Sequence, residues 1–331
     1  MHARAIIVGC LISLSVPACA FPEPSTEVRG ASVLPLEPCV LPTVRGHVSG
    51  RGSGRFVIDT GATATVLDEA DAAGSFGLVL HRYLVPRFVR GGNGHDTITH
   101  YADRQALVLG SATIRCSEIP VLDLHAIVAE ASVVVGEDVL RRLVMLFAPA
   151  PRQVSILSPA EDLASRLARA APRACWTPLR FRWEGGLPII DLELAAAHRV
   201  PMLIDTGAEF SMITTAVRRD LGLSVPAGQF HLAGSIGGGY DGALYGLPAW
   251  RLGGWEVETV FAENQTLDYG VLGFDILGAI PFAFDGPGAT LWLAAPNDAS
   301  ETRLVTSTAK LCQLMRKFAQ DLELQDRATG D

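Results

Sequence analysis

Two aspartates, Asp59 and Asp205, stand at the ends of apolar runs in nearly the same phrase: FVIDTGATATVLD at 56–68 and MLIDTGAEFSMIT at 202–214. An ionisable side chain after Val-Ile or Leu-Ile is costly if it faces a core. It becomes tolerable where two such strands meet at an interface holding water. The Gly after each Thr lets the backbone turn tightly and approach another chain closely. A Thr hydroxyl both donates and accepts, so Thr60 and Thr206 suit a mutual lock between two loops. Two copies of the phrase therefore fit a pseudo-twofold site with Asp59 and Asp205 side by side. Carboxylates that close share one proton, and their titration belongs to the pair. One is then ready as a base and the other as an acid.

The elements that must position this pair are also repeated. Gly91, in RGGNG, follows Asp59 by 32 residues, and Gly237, in IGGGY, follows Asp205 by 32. LVLGSATIRCSEIPVL and WRLGGWEVETVFAEN both read as a turn and an alternating strand. Each half then reaches an apolar run ending in Gly-x-Asp-x-Leu: VVVGEDVL at 133–140 and GVLGFDIL at 270–277. VMLFAPAPRQVSIL and IPFAFDGPGATLWL read as hairpins whose turns carry Pro and Gly. Short helices are expected near Asp138 and Asp275, both read as charges at the positive end of a helix dipole. An amphipathic helix over 159–170 connects the halves, and another over 308–324 closes the chain. The fold class expected is all-β, in two similar lobes related by duplication.

Composition bounds the rest. Half of the 331 residues are apolar (49%) and 19% are charged, which demands a substantial core and argues against a disordered scaffold. A net charge of −8 with no Lys/Arg block argues against a nucleic-acid partner. Residues 1–20 read as an export signal: Arg4, an apolar stretch from Ala5 to Val16, and a small-x-small cleavage site at Ala18-Cys19-Ala20. The apolar run is too short to span a bilayer and Pro17 ends it. An alternative makes Cys19 the lipid-bearing residue of a lipobox, although Pro is unusual there. Either way the chain is exported, to a periplasm or beyond. Cys39, Cys116, Cys175 and Cys312 remain after cleavage, and an even count in an exported protein implies two disulfides. Of three pairings, Cys39–Cys116 with Cys175–Cys312 is preferred, because each bridge stays on one side of the midpoint. The expected division is 1–20 signal, 21–39 N-terminal segment, 40–157 first lobe, 158–174 connector, 175–298 second lobe and 299–331 C-terminal helix.

With both Asp-Thr-Gly-Ala phrases, the Gly-rich stretches and the apolar-Gly segments in the same order, the chain resembles the aspartic proteases of the retropepsin and pepsin type. The resemblance covers about residues 40–157 and 175–298. It implies a bilobal acid-protease fold of two closed β-barrels, like two retropepsin-like units fused, with the active site inside one monomer. It implies Asp59 and Asp205 as the catalytic pair, Thr60 and Thr206 as interlocking threonines, and Gly61-Ala62 and Gly207-Ala208 as turns beneath the carboxylates. Val135-Gly136 and Leu272-Gly273 match the apolar-Gly segment behind each loop. Gly91, Gly92, Gly94, Gly237 and Gly238 match the flap region, with Tyr240 leaning over substrate. The chain departs from pepsin in having Ala after both glycines, in being shorter, and in lacking a flap tyrosine near Gly91. The resemblance implies hydrolysis of an extended peptide or protein substrate by an activated water, with no acyl-enzyme, metal or cofactor.

Other readings are weaker. Ala233-Gly234-Ser235-Ile236-Gly237 is one residue from a nucleophile elbow, but glycines follow where a helix is needed. The Gly-rich stretches hold no Gly-Lys-Ser/Thr, and the eight histidines show no ligand spacing; His95 and His100 read as loop residues. The serious rival is a non-catalytic exported peptide-binding protein that keeps the bilobal groove.

Overall fold

The structure, a computed structural model, describes residues 6–8, 27–91, 94–125, 128, 131–157, 162–172, 174–194, 198–233, 240–296 and 303–305. Strands dominate, and among the described residues the helices are short. Six strands build the first barrel: β1 Thr43–Val48, β2 Ser53–Ile58, β3 Val66–Asp68, β4 Gly94–Leu109, β5 Ala112–Leu122 and β6 Val133–Val135. They pair in the order β1-β2-β6-β3-β5-β4, and β4 pairs back to β1 to close the ring. Closure leaves no free edge in the ring. The alternation expected of half-buried strands is present: Ala112, Ile114 and Cys116 of β5 point into the core, while Arg115 points out.

The second lobe repeats the order with β7 Leu187–Leu194, β8 His198–Ile204, β9 Met212–Thr214, β10 Tyr240–Leu252, β11 Trp255–Asn264 and β12 Gly270–Leu272. The sequence of neighbours is β7-β8-β12-β9-β11-β10. Here β7 packs beside β10 with no ladder between them among the described residues, so this ring is closed by side-chain packing. In both lobes a glycine with positive φ, Gly110 at +61° and Gly253 at +59°, makes the turn into the long returning strand.

A separate six-stranded sheet joins the lobes, in the order Ala174–Arg180, Thr290–Pro296, Phe282–Asp285, Val144–Ala148, Gln153–Leu157, Ser32–Pro35. The two hairpins read in the sequence lie at its centre, where Phe147 stacks on Phe282 with centroids 4.4 Å apart. Such a pair adds about 1 kcal/mol beyond its buried area. The connector helix spans Leu163–Ala170, capped by Asp162, and buries Leu167 against Leu146 and Ala283 of this sheet. Two further helices, Glu69–Ala73 and Thr215–Asp220, follow the third strand of each barrel and are capped by Asp68 and Thr214. They are too short for a helical period to show in the sequence.

The Cys39–Cys116 bridge is not formed: both thiols are free. Cys116 faces the barrel interior from β5, whereas Cys39 lies in the loop before β1, where its carbonyl accepts from Arg152. Burial pushes the Cys116 thiol up to about 12, so it stays protonated. Cys312, the 308–324 helix, Cys19 and the cleavage site lie outside the described residues. Of the 1–20 signal, Ile6–Val8 is described and pairs in parallel with His231–Ala233. Among the described residues no helix is long and apolar enough to cross a membrane.

Candidate active site

Strands β2 and β8 each end one residue before an aspartate, and each runs parallel to the last strand of its barrel, Ile58 opposite Val135 and Ile204 opposite Leu272. The ladders continue for one bond: Asp59 N–H donates to Val135 O and Asp205 N–H to Leu272 O, both at 3.1 Å. Val135 and Leu272 are fully buried behind the loops. Gly136 and Gly273 lie so close that a Cβ on Gly136 would overlap the Ala64 carbonyl, and one on Gly273 would sit 2.6 Å from the Phe210 carbonyl carbon. The apolar-Gly segments therefore lie directly against the Asp loops.

The two loops meet across the lobes. Thr60 Oγ1 donates to Ile204 O at 2.7 Å and accepts from Thr206 N–H at 3.0 Å. Thr206 Oγ1 donates to Ile58 O at 2.6 Å and accepts from Thr60 N–H at 3.1 Å. Each hydroxyl thus uses its proton on the other lobe's strand and its lone pair on the other lobe's loop. All of these groups are buried, where a hydrogen bond is strong and an unmade one costly.

Asp59 and Asp205 are fully buried. Asp59 Oδ1 accepts from the N–H of Gly61 at 2.8 Å and of Ala62 at 3.1 Å; Asp205 Oδ1 accepts from Gly207 N–H at 2.9 Å. The two carboxyl groups lie close enough for each to act on the other's protonation. Burial, then the nearby charge of Asp59, hold Asp205 well above the ordinary carboxylate range. The glycines permit this approach: a Cβ on Gly61 would sit about 2.5 Å from both Asp205 oxygens, and one on Gly207 would overlap the Asp59 carboxyl. Ala62 and Ala208, beneath the carboxyls, are buried.

Gly91 and Gly94 pair at the end of the hairpin formed by Leu80–Gly91 and β4. Tyr240 opens β10, opposite Leu232 of Gly228–Ala233. Gly92, Gly237 and Gly238 lie outside the described residues. Tyr83 lies eight residues before Gly91, outside the Gly-rich stretch expected to form the flap. A register shift between Arg82 and Arg87 carries Tyr83 into a cluster with Ala62, Val57 and Ile98. Its hydroxyl donates to Glu118 Oε1 at 2.7 Å, and Arg87 lies 4.2 Å over its ring while pairing with Glu118 at 2.8 Å. Burial and Glu118 push the phenol far above its ordinary value.

Asp138 and Asp275 do more than charge a helix start. Each lies in the first turn of a four-residue helix, Glu137–Leu140 or Phe274–Leu277, but its carboxyl is buried and turned toward the loop. Asp138 Oδ1 accepts from Thr65 N–H and Thr65 Oγ1–H, both at 2.8 Å, and Asp275 Oδ1 accepts from Ser211 Oγ–H at 2.8 Å. Thr65 and Ser211 each stand six residues after their lobe's aspartate, a spacing visible in the sequence once the two phrases are aligned. Burial raises both carboxyls to about 6.

Away from the paired loops, Asp68, Asp71 and His125 bring ligand atoms within 4.8 Å of one another. Asp68 there already accepts from the N–H groups of Asp71, Leu124 and His125, so its carboxylate is engaged in holding backbone. Two buried carboxyls in this arrangement are suited to exchanging protons with a group held between them.

A family profile described as aspartyl protease matches residues 44–149 and 191–276, together more than half of the chain. The two matches fall one on each barrel, each containing one Asp-Thr-Gly-Ala phrase and the strands that hold it. No curated protein matches the chain.

Proposed function

Because the chain belongs to the aspartyl protease family, we propose that it is an endopeptidase whose two catalytic carboxyls, Asp59 and Asp205, come from one polypeptide. The observation that carries this reading is the reciprocal threonine exchange, which joins the two loops and supports a shared proton between the carboxyls. Asp205, whose affinity for the proton is raised, is the acid, and Asp59, whose Oδ1 accepts two backbone N–H groups, is the base. A water between them gives a proton to Asp59 as its oxygen attacks the peptide carbonyl. Asp205 gives its proton to the carbonyl oxygen as the bond to water forms, which makes the neutral tetrahedral diol. On collapse one diol hydroxyl returns its proton to Asp205 as the C–N bond breaks, and the amine leaves with the proton held by Asp59.

In this reading the lobes at 40–157 and 175–298 are the two halves of one enzyme, active as a monomer. The substrate is a peptide or protein bound extended, pairing as an added strand with the hairpins that end in Gly91–Gly94 and begin again at Tyr240. Ala62 and Ala208 bring no hydroxyl to the carboxyls, so activity extends to higher pH than where Ser or Thr occupies those places. The protein works outside the cytoplasm, released by cleavage after Ala20 or anchored by lipid at Cys19. Cleavage of unfolded casein or a peptide library, abolished by pepstatin and by Asp59→Asn, is the expected result. Intact substrate across acidic and neutral pH would favour the peptide-binding alternative.

A further inference from the structure

We propose that Asp138 and Asp275 are positioning residues for the Asp59–Asp205 pair, each holding its own lobe's loop through a hydroxyl and a glycine peptide. The inference deepens the endopeptidase reading and rests on it for the identity of the reacting groups. The path is short. In the first lobe the Thr65 hydroxyl donates to Asp138 at 2.8 Å and accepts from Gly136 N–H at 3.1 Å. The carbonyl on the other side of that peptide, Val135 O, receives Asp59 N–H at 3.1 Å. In the second lobe Ser211 Oγ donates to Asp275 at 2.8 Å and accepts from Gly273 N–H at 2.9 Å, while Leu272 O receives Asp205 N–H at 3.1 Å. The next residue of each helix start grips the far side of the loop: Glu137 N–H donates to Ala62 O and Phe274 N–H to Ala208 O, both at 2.7 Å.

The hydroxyl has one proton, which makes the direction of each relay compulsory. Because the glycine N–H occupies the oxygen, the O–H must donate, and the aspartate must be there to accept. Remove the acceptor, and a buried O–H is stranded within two bonds of the reacting carboxyl's own backbone. Helix capping does not account for the arrangement, since Gly136 and Gly273 are the N-cap residues and neither has a side chain to cap with. Nor does it account for the cost of burial: Asp275 Oδ2 is buried without a hydrogen-bond partner. Recurrence in both lobes with different hydroxyl residues, Thr in one and Ser in the other, indicates that the acceptor is the required part. The charged and titratable groups facing Asp138 are Arg142 from the end of its helix and Cys116 from β5. The group that donates to the Asp275 carboxyl is the Ser211 hydroxyl, while the Asp275 N–H is engaged with Glu209 O at 3.2 Å. Burial raises both aspartates, so each changes charge near pH 6 while its Oδ1 remains able to accept.

The test compares Asp138→Asn and Asp275→Asn, which keep a carbonyl acceptor, with Asp138→Ala and Asp275→Ala, which do not. Two quantities are read in the full chain: kcat and KM on a casein-derived peptide, and the titration of the Asp59–Asp205 pair by carboxyl carbon NMR. The alanine variants are expected to lose about tenfold or more in kcat with KM within about twofold, and to shift the pair's titration; the asparagine variants recover most of both. If an alanine variant does not fold, Thr65→Val and Ser211→Ala cut the same relay at its middle. Equal loss in the Asn and Ala variants, or folded Ala variants with unchanged kcat and titration, overturns the inference. A wild-type chain that cleaves nothing, while the Ala variants still shift the pair's titration, would sink the endopeptidase reading and leave the positioning role standing.

Discussion

Replacing Asp138 and Asp275 together by Asn should make the protein less sensitive to rising pH. Both carboxyls are turned into the interior, and loss of solvation raises each from an ordinary value of 3.8 to about 6. A carboxyl with a raised folded-state pKa binds its proton more tightly in the native than in the unfolded chain. The extra stability is therefore fully present below about pH 4 and is lost as pH rises through 6. At about 1.4 kcal/mol per tenfold change, each group accounts for about 3 kcal/mol, and the two for about 6 kcal/mol. Unfolded-state compactness and internal relaxation reduce this, so about half of it is a fair lower expectation. Partly buried ion pairs such as Arg218–Glu263, at 2.9 Å, act in the opposite direction, but they are common to both proteins and cancel in the comparison. The assay is urea unfolding followed by tryptophan fluorescence at about pH 4 and about pH 7.5. The wild type should lose about 3–6 kcal/mol more than the double variant between those values. The same loss in both proteins would refute the reasoning, because the two buried carboxyls could not then be the source.

Thr60→Val removes a hydroxyl that gives one hydrogen bond and receives another across the lobes, leaving Ile204 O and Thr206 N–H stranded. Each stranded group costs about 1–3 kcal/mol, and Thr206→Val should cost about the same; double-mutant denaturation should show the two losses to be strongly non-additive. Gly207→Ala would place a methyl group on the Asp59 carboxyl, so peptidase activity should fall by about a hundredfold or more, and an active variant would contradict the close approach. Iodoacetamide applied to the native protein should label Cys39, while Cys116 should react only after unfolding; a peptide containing both in a disulfide would contradict the free thiols.

The pair of lobes was legible because the phrase at 56–68 returns at 202–214, and because a repeated phrase with its companions in order leaves few folds to choose from. The strand order within each barrel came from the structure, where both lobes repeat it. The relays through Thr65 and Ser211 were hidden for a physical reason. An aspartate at a helix start and a hydroxyl in a loop each have ordinary local explanations, and only the tertiary approach of loop to helix joins them. The disulfide expectation failed because sequence separation says nothing about direction: Cys116 occupies an inward position of β5, which alternation along ATIRCSEIPVL does indicate once the strand's buried face is known. Tyr83 was missed because the irregularity between Arg82 and Arg87 breaks the alternation that would have aimed it inward. The helices after β3 and β9 span five and six residues, less than two turns, so no periodic signal could accumulate.

The account depends most on one proton held between Asp59 and Asp205. Neutron diffraction from deuterium-exchanged crystals grown near neutral pH locates that atom directly. A single deuteron bridging the two carboxyls, nearer to Asp205, is the predicted density. Two deprotonated carboxylates, each solvated separately, would contradict the account.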